Sequence, residues 1–163
     1  MTTVRIIDDW LNGVEKDLVD NYDRLGLRAS GQWASSLEPF NNQLPEGFSI
    51  GILGEDYTEW IENGRLPNRD QSDESLKAWV GWAGSTFIDD WLHDKGLEDT
   101  LNPYAVSWKI ALRGWQVPNI HNAGGLVSDV VTRERINDLN KSLGGFYINE
   151  IKTEIIKGLN GNK

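Results

Sequence analysis

Apolar residues recur every three or four positions through the first 25 residues: Val4, Ile7, Leu11, Val14, Leu18, Tyr22 and Leu25. That spacing makes one stripe on a helix and predicts an α-helix from Thr3 to Leu25. Thr2 or Thr3 caps it, Asp8 and Asp9 lie near its positive end, and Gly26 stops it. Trp10 falls beside the stripe and is expected to face a partner. The period then shortens to two. Trp33, Ser35 and Leu37 predict one strand, which Pro39 ends or places at an edge, and Phe48 to Leu53 predict a second. Between them, Asn41 to Gly47 has the composition of a loop, so the two strands are expected to pair as a long antiparallel hairpin.

Tyr57, Trp60 and Ile61 suit one helical turn, and Gly64 suits a positive φ at its exit. Gly64 to Asp70 is expected to form a tip loop carrying Arg65 and Arg69. From Ser72 or Asp73 a helical stripe runs through Leu76, Trp79, Val80, Ala83, Phe87, Ile88, Trp91 and Leu92 to a stop at Gly96; Gly81, Gly84 and Ser85 bend or split it. Asn102-Pro103 opens a short helix that Gly114 closes. The chain from Trp115 to Gly125 reads as irregular and Leu126 to Val131 as a short apolar segment. A final helical stripe from Ile136 to Leu159 is broken at Gly144-Gly145, with fraying from Gly158 to Lys163. Helix, strands, then helices, without βαβ alternation, predicts a single α+β domain over 1–163: an antiparallel sheet with a long N-terminal helix and further helices packed on it. The expected core includes Ile7, Leu11, Leu18, Ile50, Ile52, Tyr57, Trp79, Ala83, Phe87, Trp91 and Ile110.

Composition changes the picture in three ways. A chain of 163 residues without cysteine has no disulfide framework and no thiolate metal site. It has no apolar run of membrane-spanning length and no secretory leader pattern, so the expectation is a soluble protein made in a cytoplasm. The net charge of −9 opposes phosphate-driven binding of nucleic acid. Eight tryptophans exceed the need of one small core and point to interfaces as well as packing, with a sugar-binding platform as the lesser alternative.

Candidate chemistry is thin. His93 follows Asp89 by four residues, but a metal site needs further ligands, and His121 is remote in sequence. Glu55, Asp56, Glu59 and Glu62 crowd one turn, whereas a glycosidase pair must face across a cleft. No nucleophile elbow, P-loop or dinucleotide fingerprint is present. The expectation is a protein that is not an enzyme and has no cofactor or metal.

The stretch from Phe48 to Asn68, FSIGILGEDYTEWIENGRLPN, resembles the head–tail joining (tail completion, or neck) proteins of tailed bacteriophages. The carriers are a strand, a Tyr-x-x-aromatic-aliphatic-Glu turn and an Asn-Gly exit, with Tyr57, Glu62 and Gly64 at the matching positions. The likeness extends to Leu27–Glu38, Trp91–Leu97 and Tyr104–Trp115. This chain departs from the pattern in having Gly-Arg-Leu-Pro where many relatives have Gly-Thr. The resemblance implies a structural virion protein, assembled in the host cytoplasm. It implies a ring of copies in the neck that meets portal (connector) and tail proteins and lets DNA pass without specific binding. Arg65 and Arg69 are the expected cationic contacts of such a ring, with Glu55, Asp56, Glu59 and Glu62 as their complement on the next copy, because acidic subunits repel unless opposite charges meet. The alternative is a small binding module, either carbohydrate-binding or an acidic immunity-type protein.

Overall fold

The computed structural model describes residues 2–160. Helix α1 spans Thr3–Arg24, and the Thr2 hydroxyl accepts from the Arg5 amide at its start. Its stripe buries Ile6, Ile7, Leu11, Val14, Leu18 and Tyr22. The next element corrects the sequence reading. Trp33 lies in a one-turn helix, α2 (Gln32–Ser35), and not in a strand. Trp33 and Leu37 are four residues apart as well as on alternate positions, so both periods fit them. Gly31, at φ 84°, and the Ser30 hydroxyl, accepting from the Gln32 amide, decide for the turn.

The first strand is therefore β1 (Glu38–Leu44), paired antiparallel with β2 (Gly47–Leu53). Leu44 faces Gly47 and Glu38 faces Leu53, so the expected loop shrinks to Pro45 and Glu46. Asn41, Asn42 and Gln43 are strand residues on a two-stranded ribbon with a wet outer side, where alternation of apolar residues is not required. Pro39 sits inside β1 opposite Ile52, which an edge strand tolerates. The hairpin packs on α1, and the Asn41 amide donates to Asp8 across that contact (3.0 Å).

After β2 come α3 (Thr58–Asn63) and a two-residue strand, β3 (Gly64–Arg65). The long stripe splits into α4 (Asp73–Gly84) and α5 (Phe87–Asp94), separated where glycine and serine weaken the helix. Helix α6 (Pro103–Arg113) starts on the Asn102 side-chain cap and ends at Gly114. A second two-residue strand, β4 (Trp115–Gln116), pairs antiparallel with β3 and was not foreseen from the pattern. Helix α7 (Arg133–Asn160) is continuous through Gly144-Gly145, correcting the expected break. Of the fraying expected from Gly158 to Lys163, residues 158–160 are instead the end of α7, and 161–163 lie outside the described residues.

The fold is α+β, with an antiparallel sheet, a long N-terminal helix and further helices around them. Its interior has two parts. One unites α1, Trp33, Leu126 and Val130, with Ile52, Tyr57 and Ile61 at its margin. The other lies between α4, α5 and α6 around Ala83, Ile88, Leu92, Ile110 and Ala111. Of the expected core, Ile7, Leu11, Leu18, Ala83 and Ile110 are buried; Ile50, Ile52, Tyr57, Trp79 and Phe87 are half-buried. Trp91 is 41% exposed, a correction: α5 is amphipathic, and Ile88 and Leu92 take its inner face.

Candidate functional site

The segment from Trp60 to Asn68 connects the two parts of the interior. Gly64 pairs with Gln116 and Arg65 with Trp115, so β3 and β4 bring the ends of α3 and α6 together. The approach is close. A methyl group on Gly64 would come within 2.5 Å of the Trp115 carbonyl, and one on Gly114 would collide with the Arg65 carbonyl. Both glycines also have positive φ (81° and 65°), so each is required twice over. The Trp115 indole donates to the Trp60 carbonyl (3.2 Å), and the Asn68 amide donates to the Ala111 carbonyl (2.8 Å).

Arg65 does not project from a tip. It is half-buried, with its guanidinium carbon over the rings of Trp79 (4.3 Å to the centroid) and Trp60 (5.5 Å), and it donates to the Asn68 side chain (2.6 Å). Burial lowers its basicity below the usual arginine range. Glu62 is likewise engaged within the chain. Its carboxylate accepts from the amides of Val127 (2.8 Å) and Ser128 (3.2 Å), holding the turn that carries Leu126 into the core. Burial alone would raise its pKa, but hydrogen bonds from Ser128 and from the backbone amides outweigh that and hold it below the usual glutamate value. The neighbouring Tyr57 hydroxyl is pushed up to about 12, first by burial and then by the Glu55 charge.

The remaining expected contact residues scatter. Glu55 accepts from the Gln32 side chain (3.1 Å), while Asp56 and Glu59 are exposed. Arg69 is exposed. The Trp10 indole donates to the Arg135 carbonyl (3.3 Å), fixing α1 to the start of α7. The structure thus brings Glu62 and Arg65 into internal contacts around one segment, and leaves Asp56, Glu59 and Arg69 open to solvent.

The surface that sequence reasoning missed is apolar. Among the tryptophans, Trp33 is enclosed (1% exposed), stacked near Tyr22 and donating to Thr58, whereas Trp82, Trp91 and Trp108 face solvent. In the outer half of α7, Tyr147, Ile148, Ile151, Ile155, Ile156 and Leu159 are 48–72% exposed. A groove of about 600 Å³ opens beside its midpoint, between the start of α1 and the hairpin tip. The signal for this was present in the sequence, where Tyr147, Ile151, Ile155 and Leu159 recur at helical spacing.

Among the described residues no helix is long and apolar enough to cross a membrane, and no group of three or more His, Cys, Asp or Glu converges as a metal site. His93 pairs with Glu98 (3.5 Å) rather than with Asp89. Comparison with protein-family models, with curated proteins and with solved structures finds no match for this chain.

Proposed function

We propose that this chain is a structural joining protein of a tailed-bacteriophage virion, one subunit of a ring in the neck between portal and tail. It acts by assembly, not by catalysis. The observation that carries the reading is the outer half of α7, a projecting helix with a solvent-exposed apolar stripe. Contiguous apolar surface of this extent is characteristic of a surface that meets another protein. Two further features support it. The segment that bears the resemblance folds as a strand, an aromatic helical turn and a glycine exit. The net charge of −9 suits a passage that DNA crosses without sticking. The protein is assembled in the host cytoplasm and resides in the particle's neck, touching portal and tail proteins.

The test is mass spectrometry of purified particles, together with deletion of the coding sequence. The expected results are a fixed copy number per particle and a deletion that leaves separate filled heads and free tails. Particles that lack the protein refute the reading. The exposed Trp82, Trp91 and Trp108 favour one other reading, a carbohydrate-binding module. Quenching or a blue shift of tryptophan fluorescence on titration with oligosaccharides distinguishes it.

A further inference from the structure

Charge is spread unevenly over α5 and α6. From Leu101 to Ser128 there is no carboxylate, the longest such run in the chain, and Lys109 and Arg113 give it a net of +2. From Asp89 to Asp99 five carboxylates stand against Lys95, a net of −4. The first run contains α6; the second contains most of α5 and the turn after it. Both present their charge outward. On α6, Ser107, Ile110 and Ala111 are buried, while Tyr104, Trp108, Lys109 and Arg113 are exposed. On α5, Ile88 and Leu92 are buried, while Asp89, Asp90, Trp91 and Asp94 are exposed. Arg69 adds to the cationic side. The Asn68 amide donates to the Ala111 carbonyl (2.8 Å) and the Gln71 side chain to the Leu112 carbonyl (3.3 Å), so the segment that carries the exposed Arg69 lies along the last turn of α6.

These charges are not spent within the chain. Among the described residues, Arg69, Lys109 and Arg113 have no carboxylate within ion-pair distance, and Asp89, Asp90, Asp94 and Asp99 have no cation. Lys95 is engaged by the carbonyls of Gly26 (3.2 Å) and Arg28 (2.5 Å). Asp90 and Asp94 are one helical turn apart, where like charges destabilise a helix. A cation brought from outside relieves them.

We propose that the outward face of α6 in one copy docks on the outward face of α5 in the next. Arg69, Lys109 and Arg113 meet Asp89, Asp90 and Asp94, and Tyr104 and Trp108 pack beside Trp91. The proposal rests on the reading that this chain assembles with copies of itself, and it names the surfaces. Charge complementarity selects the occupant: α5 offers the opposite sign together with an exposed ring. Tryptophan, tyrosine and arginine are also the residues that dominate binding energy at protein interfaces. The two faces cannot satisfy each other within one chain, because α5 and α6 already meet through Ile88, Leu92 and Ile110 on their inner sides. The contact is therefore heterologous, the kind that closes into rings when the rotation permits.

The experiment is a charge swap in the full chain, read by sedimentation and native mass spectrometry. The wild type is expected as a multiple of 18.4 kDa, with an association that weakens as salt rises. Lys109→Glu with Arg113→Glu, and separately Asp90→Lys with Asp94→Lys, are each expected to weaken self-association at least roughly tenfold, since like charges then face each other. The chain carrying all four substitutions has both signs reversed and is expected to associate again, as is an equimolar mixture of the two double variants. All four positions are exposed, so thermal melts are expected to stay close to the wild type. Lys109→Gln with Arg113→Gln repeats the basic-face test without placing a carboxylate at the end of α6.

A wild type that stays monomeric at about 1 mM overturns the proposal. So does a folded four-substitution chain that fails to associate. Loss of association in the basic-face variant alone does so too, because α6 then meets some surface other than α5. A single-stranded oligonucleotide that binds the wild type and not the basic-face variant, without self-association of either, makes the face a phosphate-binding one instead. A protein found in particles but failing this test keeps the joining role and loses this contact. One that self-associates as described but is absent from particles does the reverse.

Discussion

The guanidinium of Arg65 lies over the face of Trp79, 4.3 Å from the ring centroid, with Trp60 on its margin at 5.5 Å. No carboxylate within ion-pair distance is found for it among the described residues; its partners are π faces, the Asn68 side-chain oxygen and the Leu66 carbonyl. Partial burial strengthens such a contact because water competes less. Arg65→Ala is expected to lower stability by about 1–2 kcal/mol. Arg65→Lys should recover only part of that, since an ammonium cannot lie flat between rings. Arg69→Ala should stay within about 0.5 kcal/mol of the wild type. Urea melts of the three variants check this; equal effects at the two arginines would contradict the stacking role.

Glu62 makes stability depend on pH with a defined sign. Its folded pKa lies below the ordinary value of 4.5. Its contribution is therefore complete above that value and lost as pH falls through the lowered one. Glu62→Ala is expected to cost about 1–2 kcal/mol at pH 7, the scale of hydrogen bonds to a charged, partly solvated acceptor. At an acidic pH below 4.5, the gap between the variant and the wild type should be smaller than at pH 7. Denaturant melts at the two pH values measure the difference; a gap that widens in acid would reverse the assignment.

Gly114 and Gly144 provide opposite outcomes for the same substitution. Gly114→Ala forces a side chain into positive φ and against the Arg65 carbonyl, and should cost more than about 2 kcal/mol. Gly144→Ala meets open space in a helix and should stabilise by up to about 1 kcal/mol. Calorimetric melting of both variants tests whether the β3–β4 approach is as tight as its geometry.

Trp33 and Trp91 separate core from surface. Trp33→Ala removes an enclosed ring with a hydrogen bond to Thr58 and should cost about 3–5 kcal/mol. Trp91→Ala should cost less than about 1 kcal/mol in the isolated chain. A large loss at Trp91 would mean that α5 packs with its other face inward.

Much of this architecture is legible in the sequence, for physical reasons that differ by element. Helices α1 and α6 declare themselves through a stripe, a capping side chain and a glycine stop, all local signals. The hairpin was displaced because β1 carries Asn41, Asn42 and Gln43, polar residues whose pairing is dictated by backbone hydrogen bonds rather than burial. Trp33 fitted two periods, and what decides for the turn, Gly31 at positive φ and the Ser30 hydroxyl, does not show in the spacing of apolar residues. Arg65 looked like a loop charge because its partner, Trp79, comes 14 residues later and on another helix. Contacts of that range leave no periodicity. One weak trace existed: Gly64-Arg65 and Gly114-Trp115 are both glycines followed at once by a large side chain, as a close backbone crossing requires. The expected acidic complement dissolved similarly, because the role of Glu62 depends on amides 65 and 66 positions downstream.

The glycine pair in α7 makes the projecting helix a lever. Gly144 and Gly145 lie in the middle of α7, just before the residues that line the groove beside α1, with open space around both. The described segment beyond them, 146–160, is about 22 Å long. A bend of about 10° at the pair, well within the curvature that helices accommodate, swings its far end by about 4 Å. A change of that size at one joint relocates the exposed apolar side chains of the outer half without repacking either interior cluster.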